Sequence, residues 1–360
     1  MKTYVLRTCA GDMTSFDGSF TWPASGLVEA PDWDPKPECG GGLHGFLLGC
    51  GDGQLADWSE SANWLVVEID RETLIDLEGK VKFPRGNVMF CGDREGAIAV
   101  LEGLAPEAKH MPVIGARRMV GDNQVVYAGY YGKAVAGAYG NAEAGYGGTA
   151  IAGYGGKAIA TAYGNAVTGN NGKAVAGAGG KAEAGAYGKA EAGDNGKAVA
   201  GDYGKAIAGA WGKAVAGYNG SAIAGAGGTA IAGDYGKAEA GYRGKAVAGE
   251  GGKISIEWWD GNRSRTAIGY IGEDGLKPNI PYPCNEEGKF VAVVKEEEKG
   301  NGSSADEFAS LDSLPVEDLA KQSLQTLRRY AALHLKIIGA SKIPGGKAKL
   351  LEKIQAKRKG

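Results

Sequence analysis

The sequence lacks any uninterrupted apolar run of about eighteen residues, so no membrane-spanning helix is predicted. Its first residues, Met1 to Arg7, contain no long apolar core, so no signal peptide is predicted and a cytoplasmic location is expected. The five cysteines are few and odd in number, which does not indicate a disulfide framework. Neither sign of charge is in excess, since the formal net charge is -2, so an electrostatic partner requires a local charged patch.

Glycine, by contrast, is abundant: the chain contains 64 glycines, and most of them lie in one central block. From Asn123 to about Trp258 the sequence is a series of octads, of which residues 131–138 are typical. Roughly sixteen copies follow one another without a break. Repetition at a short fixed period predicts an architecture in which each unit packs mainly on its neighbours.

Each octad carries the same pattern: Gly at position two, usually Lys at three, Ala at four and six, and Gly at seven. Positions three to six therefore alternate between outward residues and small inward ones, which is the period-two pattern of a β-strand. We expect the glycines at positions two and seven to form tight corners through positive φ or close backbone approach. One octad is too short to close a coil, so the pattern predicts two octads per coil and about eight coils in a rod of about 40 Å.

Two other structures compete with the solenoid. A helix is disfavoured because two glycines per octad each cost nearly 1 kcal/mol in a helix interior. A flexible silk-like tract remains an alternative. The ends of the block favour the solenoid, because Ile254 and Ile256 replace the inward alanines of the last octad and Val126 replaces one in the first.

The outward position five is aliphatic in most octads. If alternate octads belong to two faces, one face carries an aliphatic stripe that is interrupted only by Glu183. The stripe contains Val135, Ile151, Val167, Val199, Val215, Ile231 and Val247. A nearly continuous apolar surface predicts that this face is covered, and we expect homo-oligomerisation through it.

Lysine at position three forms a second regular feature along the block. It is compatible with a polyanion-binding strip, and equally with a solvated surface that prevents edge-to-edge aggregation. The second interpretation is favoured because Glu183, Glu191, Asp194 and Asp202 lie close by in the sequence. Ice binding is disfavoured, because the repeats lack regular ranks of threonine.

The octads resemble the Ala- and Gly-rich head repeats of trimeric autotransporter adhesins. The layout of the whole chain is more similar to that of phage and prophage β-solenoid proteins of unknown function. The resemblance to the adhesins implies a stack of short strands. Surface adhesion is not expected, because the sequence shows no export signal, coiled-coil stalk or C-terminal membrane barrel.

The sequence of residues 1–120 has ordinary complexity and predicts a small α+β domain of unknown role. Strands are expected at 64–69 and 87–91 and a helix at 93–104.

This domain contains four candidate ligands for zinc, which are Cys39, His44, Cys50 and Cys91, although they lack paired knuckle spacing. Cys39 and His44 are also candidates for a nucleophile and its base. Buried thiols and a packed imidazole are the favoured interpretation of all four. The chain is therefore not expected to be an enzyme, and no cofactor other than a possible zinc ion is predicted.

Three segments follow the octads that fill residues 121–258. Residues 259–294 contain turn signals between short β runs and predict a cap that closes the solenoid. Residues 295–310 are charged and small, and predict a flexible linker. Residues 311–360 show helical periodicity, with a last helix expected at 347–357.

The last segment resembles the Rho N-terminal and SAP-like helical modules. The matching residues are Leu335, Ile337, Gly339, Ser341, Lys342, Lys347, Leu350, Leu351 and Ile354, with a longer turn at Pro344 to Gly346 than is usual. The resemblance implies binding to DNA or RNA. The charge of this segment also predicts nucleic-acid binding, because Glu352 is the one acidic residue after Lys321. Candidate phosphate-binding residues are Arg328, Arg329, Lys336, Ser341, Lys342, Lys347, Lys349, Lys353, Lys357 and Arg358.

The predicted fold class is mainly β: an Ala/Gly-rich β-solenoid between a small α+β N-terminal domain and a C-terminal helical module. The leading functional hypothesis is a non-enzymatic scaffold that displays an N-terminal interaction module and a C-terminal nucleic-acid-binding module. A phage or prophage fibre or decoration protein is the first alternative. A Cys/His-dependent enzyme or a zinc site in the N-terminal domain is the second.

Overall fold

The computed structural model describes residues 1–15, 18–293, 311, 314, 319, 327, 330, 331 and 346–359, the side chains of 346–348, 358 and 359 excepted. The chain divides into two compact units, Met1–Val293 and Val294–Gly360. The predicted linker at 295–310 lies outside the described residues. No helix among the described residues is long and apolar enough to cross a membrane.

The first unit begins with an antiparallel sheet of seven strands. In spatial order these are β2 (Gly26–Glu29), β7 (Arg85–Gly92), β4 (Asn63–Asp70), β1 (Lys2–Cys9), β3 (Leu43–Leu47), β6 (Val81–Phe83) and β5 (Ile75–Asp76). Short 3-10 helices lie at Gly53–Leu55, Arg71–Thr73 and Pro106–His110. One face of the sheet packs on helix α1 (Arg94–Leu104), which begins after Asp93, whose side chain accepts a hydrogen bond from the Gly96 amide. The strands expected at 64–69 and 87–91 and the helix expected at 93–104 are all present.

The octads form two parallel sheets that face each other. The first solenoid sheet contains β8 (Arg117–Met119), β10 (Lys133–Ala136), β12 (Thr149–Ala152), β14 (Asn165–Thr168), β16 (Lys181–Ala184), β18 (Lys197–Ala200), β20 (Lys213–Ala216), β22 (Thr229–Ala232) and β24 (Lys245–Val247). The second contains β9 (Val125–Ala128), β11 (Asn141–Ala144), β13 (Lys157–Ala160), β15 (Lys173–Ala176), β17 (Lys189–Ala192), β19 (Lys205–Ala208), β21 (Ser221–Ala224), β23 (Lys237–Ala240), β25 (Lys253–Trp259) and the antiparallel β26 (Ser264–Tyr270).

The strand register confirms two octads per coil. Ala134 pairs with Ala150, and Ala150 pairs with Ala166, so each residue lies beside the residue sixteen positions later. The solenoid has about nine turns rather than eight. The additional turn begins at β8, ahead of the first octad, where Arg117 pairs with Lys133.

Alanine methyl groups form the core of the solenoid, as the alternation predicts. Ala134, Ala150 and Ala198 at position four are completely buried, and the alanines at position six are nearly so. The alanines belong to the same hydrophobic cluster as Leu6 and Trp64 of the N-terminal domain. The N-terminal domain is therefore packed on the first coil rather than tethered to it.

The coil corners differ from the expectation in one respect, which is the octad position that has positive φ. Positive φ occurs at position one of the octad, where Tyr131 has φ 50° and Trp211 has φ 58°. The glycines at positions two and seven are required for close approach instead. A Cβ atom on Gly132 would lie 2.9 Å from the carbonyl oxygen of Ala116 in the preceding turn. Tyrosine, asparagine and tryptophan thus occupy a backbone region that usually favours glycine.

The far end of the solenoid is closed by larger side chains and an antiparallel strand. Ile254 and Ile256 are buried where alanine stands in earlier turns, which confirms the interpretation of the last octad. Strand β26 pairs along the full length of β25. In the other sheet, Tyr282 exchanges backbone hydrogen bonds with Ala246 and its ring is buried. Beyond β26, Phe290 forms only an isolated bridge with Cys284, so the β run expected there is not a full strand.

The second unit contains helix α2 (Gly346–Lys359), which covers the last helix expected from the sequence. On it, Leu350 and Ile354 are buried against Leu327 and Tyr330. Their spacing of four residues places both on one face of the helix.

Candidate functional site

Cys39 and His44 lie at the two ends of a glycine run that leads into β3. Gly40, Gly41 and Gly42 all have positive φ, and a Cβ atom on Gly42 would contact the Trp33 ring at 2.9 Å. The run therefore needs glycine to pass beneath the indole.

Cys39 and His44 do not form a nucleophile–base pair. The Cys39 thiol is exposed, and its Sγ lies 3.0 Å from the ammonium of Lys80. His44 Nε2 is buried and has no hydrogen-bond partner among the described residues. Burial, together with the nearby cations Lys80 and Arg7, lowers the pKa of His44 to about 4. Within the described part of the chain, no hydrogen bond joins the thiol to the imidazole, so His44 is not placed to act as the base for Cys39.

The four candidate zinc ligands are not brought together either. Cys50 packs with the cluster that contains α1, whereas Cys91 packs with the cluster on the other face of the sheet. The Cys50 thiol donates to the Leu48 carbonyl, and burial raises its pKa to about 11. Cys91 lies 3.6 Å from the sulfur of Met13 instead. Among the described residues, no three His, Cys, Asp or Glu side chains are placed to hold a metal ion.

Two adjacent cavities lie beside His44, and sequence reasoning did not identify them. The larger has a volume of about 760 Å³ and the smaller about 410 Å³. Arg7, His44 and Lys80 line both. Arg7 belongs to β1 and Lys80 precedes β6, so only the pairing of these strands with β3 brings the two cations to His44. The sequence gives one sign of this arrangement, which is the charged Arg7 within the otherwise largely apolar β1. That residue alone does not indicate a cavity.

The aliphatic stripe is assembled as expected. All seven of its residues lie in the first solenoid sheet, where consecutive members are aligned in the parallel register. Glu183 separates Val167 from Val199. Most of these side chains are half-buried, and Val247 is buried near Tyr282 of the cap. The second solenoid sheet carries Glu143, Glu191 and Glu239 at equivalent positions.

The lysines at position three are partly neutralised by their neighbours. Lys181 forms an ion pair with Glu183 at 2.6 Å, and Lys173 contacts Glu191 at 3.2 Å. Further ion pairs join Lys189 to Glu191 and Lys237 to Glu239. These contacts agree with a solvated surface of mixed charge rather than a continuous cationic strip.

The candidate phosphate-binding residues are described in part. Lys349, Lys353 and Lys357 are exposed on α2, the helix that also carries the buried Leu350 and Ile354. Lys347 and Arg358 belong to the same helix. Arg328, Arg329, Lys336, Ser341 and Lys342 lie outside the described residues, as do Leu335, Ile337 and Gly339 of the resemblance.

Comparison with known proteins finds similarity to bacterial ice nucleation proteins. The chain is 40% identical over 102 residues to the ice nucleation protein of Pseudomonas fluorescens, a match that covers 28% of this chain and 8% of the relative. It is 37% identical over 117 residues to that of Xanthomonas campestris pv. translucens, covering 32% and 7%. Ice nucleation protein InaU of Pantoea ananas is 36% identical over 99 residues, covering 27% and 10%. The chain thus spans at most a tenth of the length of these relatives.

No protein-family profile matches the chain, and no solved structure matches it. The similarities support a tandem-repeat β-solenoid with the character of a scaffold. They do not support the resemblance to autotransporter adhesins, to phage proteins or to Rho N-terminal modules.

The expected cytoplasmic location is wrong. The similarity to bacterial ice nucleation proteins contradicts it. The expectation rested on the missing apolar core at the N-terminus, and such an absence carries no information about where the chain resides.

Proposed function

We propose that this β-solenoid scaffold binds nucleic acid through its C-terminal segment. The observation that supports this proposal is the row of exposed lysines on α2. Lys349, Lys353 and Lys357 are four residues apart, so their ammonium groups share one side of the helix. Lysines in such a row match the repeating negative charge of a phosphate backbone.

The chemistry of α2 predicts contacts to phosphate rather than to bases. The described lysines are point charges, and no exposed aromatic side chain is described on this helix that could stack on a base. Phosphate contacts carry little sequence information. Binding should therefore be strong at low salt and nearly indifferent to sequence.

The solenoid supplies the second part of the proposal. Its sheets are hydrogen-bonded in one register over about nine turns, and its core is continuous with that of the N-terminal domain. A stiff column of this kind holds the N-terminal domain at a set distance from the cap. A nucleic acid held by the C-terminal segment would then raise the local concentration of the N-terminal module.

The test uses the full chain and a 20-base-pair DNA duplex in a fluorescence anisotropy titration at several salt concentrations. A triple variant, K349Q/K353Q/K357Q, removes three cations and should weaken binding at least tenfold. It should also reduce the slope of log affinity against log salt by about 2.7, from roughly 0.9 per phosphate contact.

A matched control removes three exposed lysines from the solenoid, K197Q/K205Q/K213Q. This control should retain wild-type affinity within about twofold. If the control loses binding and the helix variant keeps it, the solenoid face binds the polyanion and the assignment to α2 is wrong. Absence of binding at low salt overturns the proposal altogether.

Ice nucleation is a second candidate, favoured by the names of the relatives. Outward position three is mostly lysine here, and position five is mostly valine or isoleucine. Regular ranks of threonine are lacking, so we expect suspended droplets with the full chain to freeze at the temperature of buffer alone. Freezing several degrees warmer would make ice nucleation the better assignment.

A further inference from the structure

We propose that strand β26 pairs with β26 of a second copy of the chain, so that two solenoids join at their capped ends through one antiparallel sheet. β26 is the last strand of the second solenoid sheet, and β25 is its one neighbour among the described strands. This pairing is separate from nucleic-acid binding by α2. It is also separate from the aliphatic stripe, which belongs to the first solenoid sheet.

The outer edge of β26 carries backbone groups without partners. The Ile271 amide donates to the Gly252 carbonyl, so the odd-numbered residues of the strand bond to β25 and the even-numbered ones face away from it. The outward amides belong to Thr266, Ile268 and Tyr270, and within the described chain none of them has an acceptor. A row of amides and carbonyls at strand spacing is satisfied as a set by another extended chain.

The exposed part of β26 lacks the features that normally protect an edge strand. It contains no charged residue or proline from Thr266 to Ile271, and its pairing with β25 is continuous, without a bulge. Ile268 is 53% exposed and Tyr270 is 49% exposed. The strand has 7 residues, whereas a typical strand of the solenoid has 4. Long, uncharged edges of this kind are templates for another strand.

Charge and side-chain type select a second copy as the partner. If Ile268 faces Ile268 of the second copy, Thr266 faces Tyr270 on both sides of it, and outward amides lie opposite outward carbonyls. A β-branched residue opposite an aromatic ring is a favourable cross-strand pair. The same register brings Arg263, which precedes the strand, to the level of Glu273 of the second copy, which follows it. Both side chains are exposed, and neither forms an ion pair within the described chain.

The test places single cysteines along β26 and measures disulfide cross-linking between copies. Ile268→Cys, Thr266→Cys and Tyr270→Cys are each made in the full chain with Cys39→Ser, because Cys39 is an exposed thiol. The protein is used at roughly 100 µM, since a short interface that buries less than about 1,200 Å² is weak. Oxidation with diamide is followed by non-reducing gel electrophoresis. The chain with Cys39→Ser alone is the control.

We expect Ile268→Cys to form the covalent dimer at least tenfold faster than the other two variants. Facing residues of a hydrogen-bonded pair have Cα atoms about 5.5 Å apart, which a disulfide can span. Thr266 and Tyr270 instead lie about 13 Å along the strands from their own counterparts, beyond the reach of a disulfide. Equal rates at the three positions would indicate random collision and overturn the proposal. A lack of dimer from Ile268→Cys would overturn it as well, and would leave the edge to a strand of another protein.

The charge pairing is tested in the Ile268→Cys background. Arg263→Glu places like charges together and should slow cross-linking at least threefold at low salt. Adding Glu273→Arg to that variant exchanges the two charges and should restore the rate. No effect of Arg263→Glu, or no recovery in the exchanged variant, would overturn the register centred on Ile268 and the proposal with it.

Discussion

Neighbouring glycines in one octad corner have unlike roles. Gly179 at position one has φ 65°, a conformation that asparagine adopts at Asn171 and Asn195. Gly180 at position two has an ordinary φ, but a Cβ atom there would lie 2.7 Å from the Gly164 carbonyl oxygen. A backbone carbonyl in a hydrogen-bonded ladder cannot move aside as a side chain can.

These two positions permit a matched pair of substitutions. Gly180→Ala should lower the free energy of unfolding by about 2–3 kcal/mol, because the added methyl group forces two turns apart. Gly179→Asn should cost less than about 1 kcal/mol, because it meets only the movable ring of Tyr163. Urea unfolding followed by circular dichroism measures both. Equal costs would contradict the assignment of close approach to position two.

His44 makes stability depend on pH in a direction set by its lowered pKa. In the unfolded chain its pKa is near 6.5, whereas in the folded domain it is about 4. Between these values the unfolded state binds more protons, so stability is lost as the pH falls from about 6.5 towards 4.

The prediction is tested by melting temperatures at pH 7 and pH 5. The wild-type chain should lose more stability between the two than His44→Gln, which cannot titrate. Exposed His110 provides the control, since His110→Gln should retain the wild-type pH dependence. A pH dependence that survives in His44→Gln would contradict the buried, neutral imidazole.

At the scale of the element, the two solenoid sheets share one backbone and differ in their outward surface. The first carries the aliphatic stripe, and the second is interrupted by three glutamates at the same position. Glutamate is therefore tolerated at position five, so a substitution to glutamate tests association without disturbing the inward alanines.

Homo-oligomerisation through the first sheet stays a prediction. V199E/V215E should convert an oligomer to a monomer at micromolar concentration, as measured by light scattering after gel filtration. I207E/I223E introduces the same charge on the second sheet at half-buried positions and should leave the oligomer intact. A monomeric wild-type chain, or equal effects of the two variants, would contradict the assignment.

At the scale of the whole molecule, one nearly buried arginine joins the N-terminal domain to the first turn of the solenoid. The Arg118 guanidinium donates to the carbonyls of Ala108 and Tyr127 at 2.7 Å and pairs with Glu102 at 2.6 Å. Its side chain is 10% exposed, so the charge depends on these partners. Removing one partner of a buried pair typically costs about 3–5 kcal/mol.

Arg118→Met should therefore separate two unfolding events that are coupled in the wild-type chain. Differential scanning calorimetry should show one transition for residues 1–293 in the wild type and two in the variant. Arg117→Met is the control, because Arg117 lies one residue earlier and its ion pair with Glu95 is exposed. Two transitions already in the wild type would show that the shared core does not couple the domain to the solenoid.

Much of the element structure follows from local pattern. The octad period, the alternation of alanine with larger residues and the isoleucines at the last turn predict strands, inward faces and an end cap, because β-strands have a fixed period of two. Two octads per coil also follow, since one octad cannot enclose a core. The first turn at β8 could not be predicted, because Arg117 to Met119 do not carry the repeat and pair only once β10 is in place.

Sequence by itself therefore determined the architecture of the solenoid, the outward ranks of lysine and aliphatic residues, and the basic face of α2, because each depends on spacing along a regular element. Only the tertiary structure decided which side chains meet in the N-terminal domain. It separated Cys39, Cys50 and Cys91, and it placed Arg7 and Lys80 beside His44. The physical reason is that strand pairing in an antiparallel sheet joins residues far apart in the chain, and no local period records which strands will be neighbours.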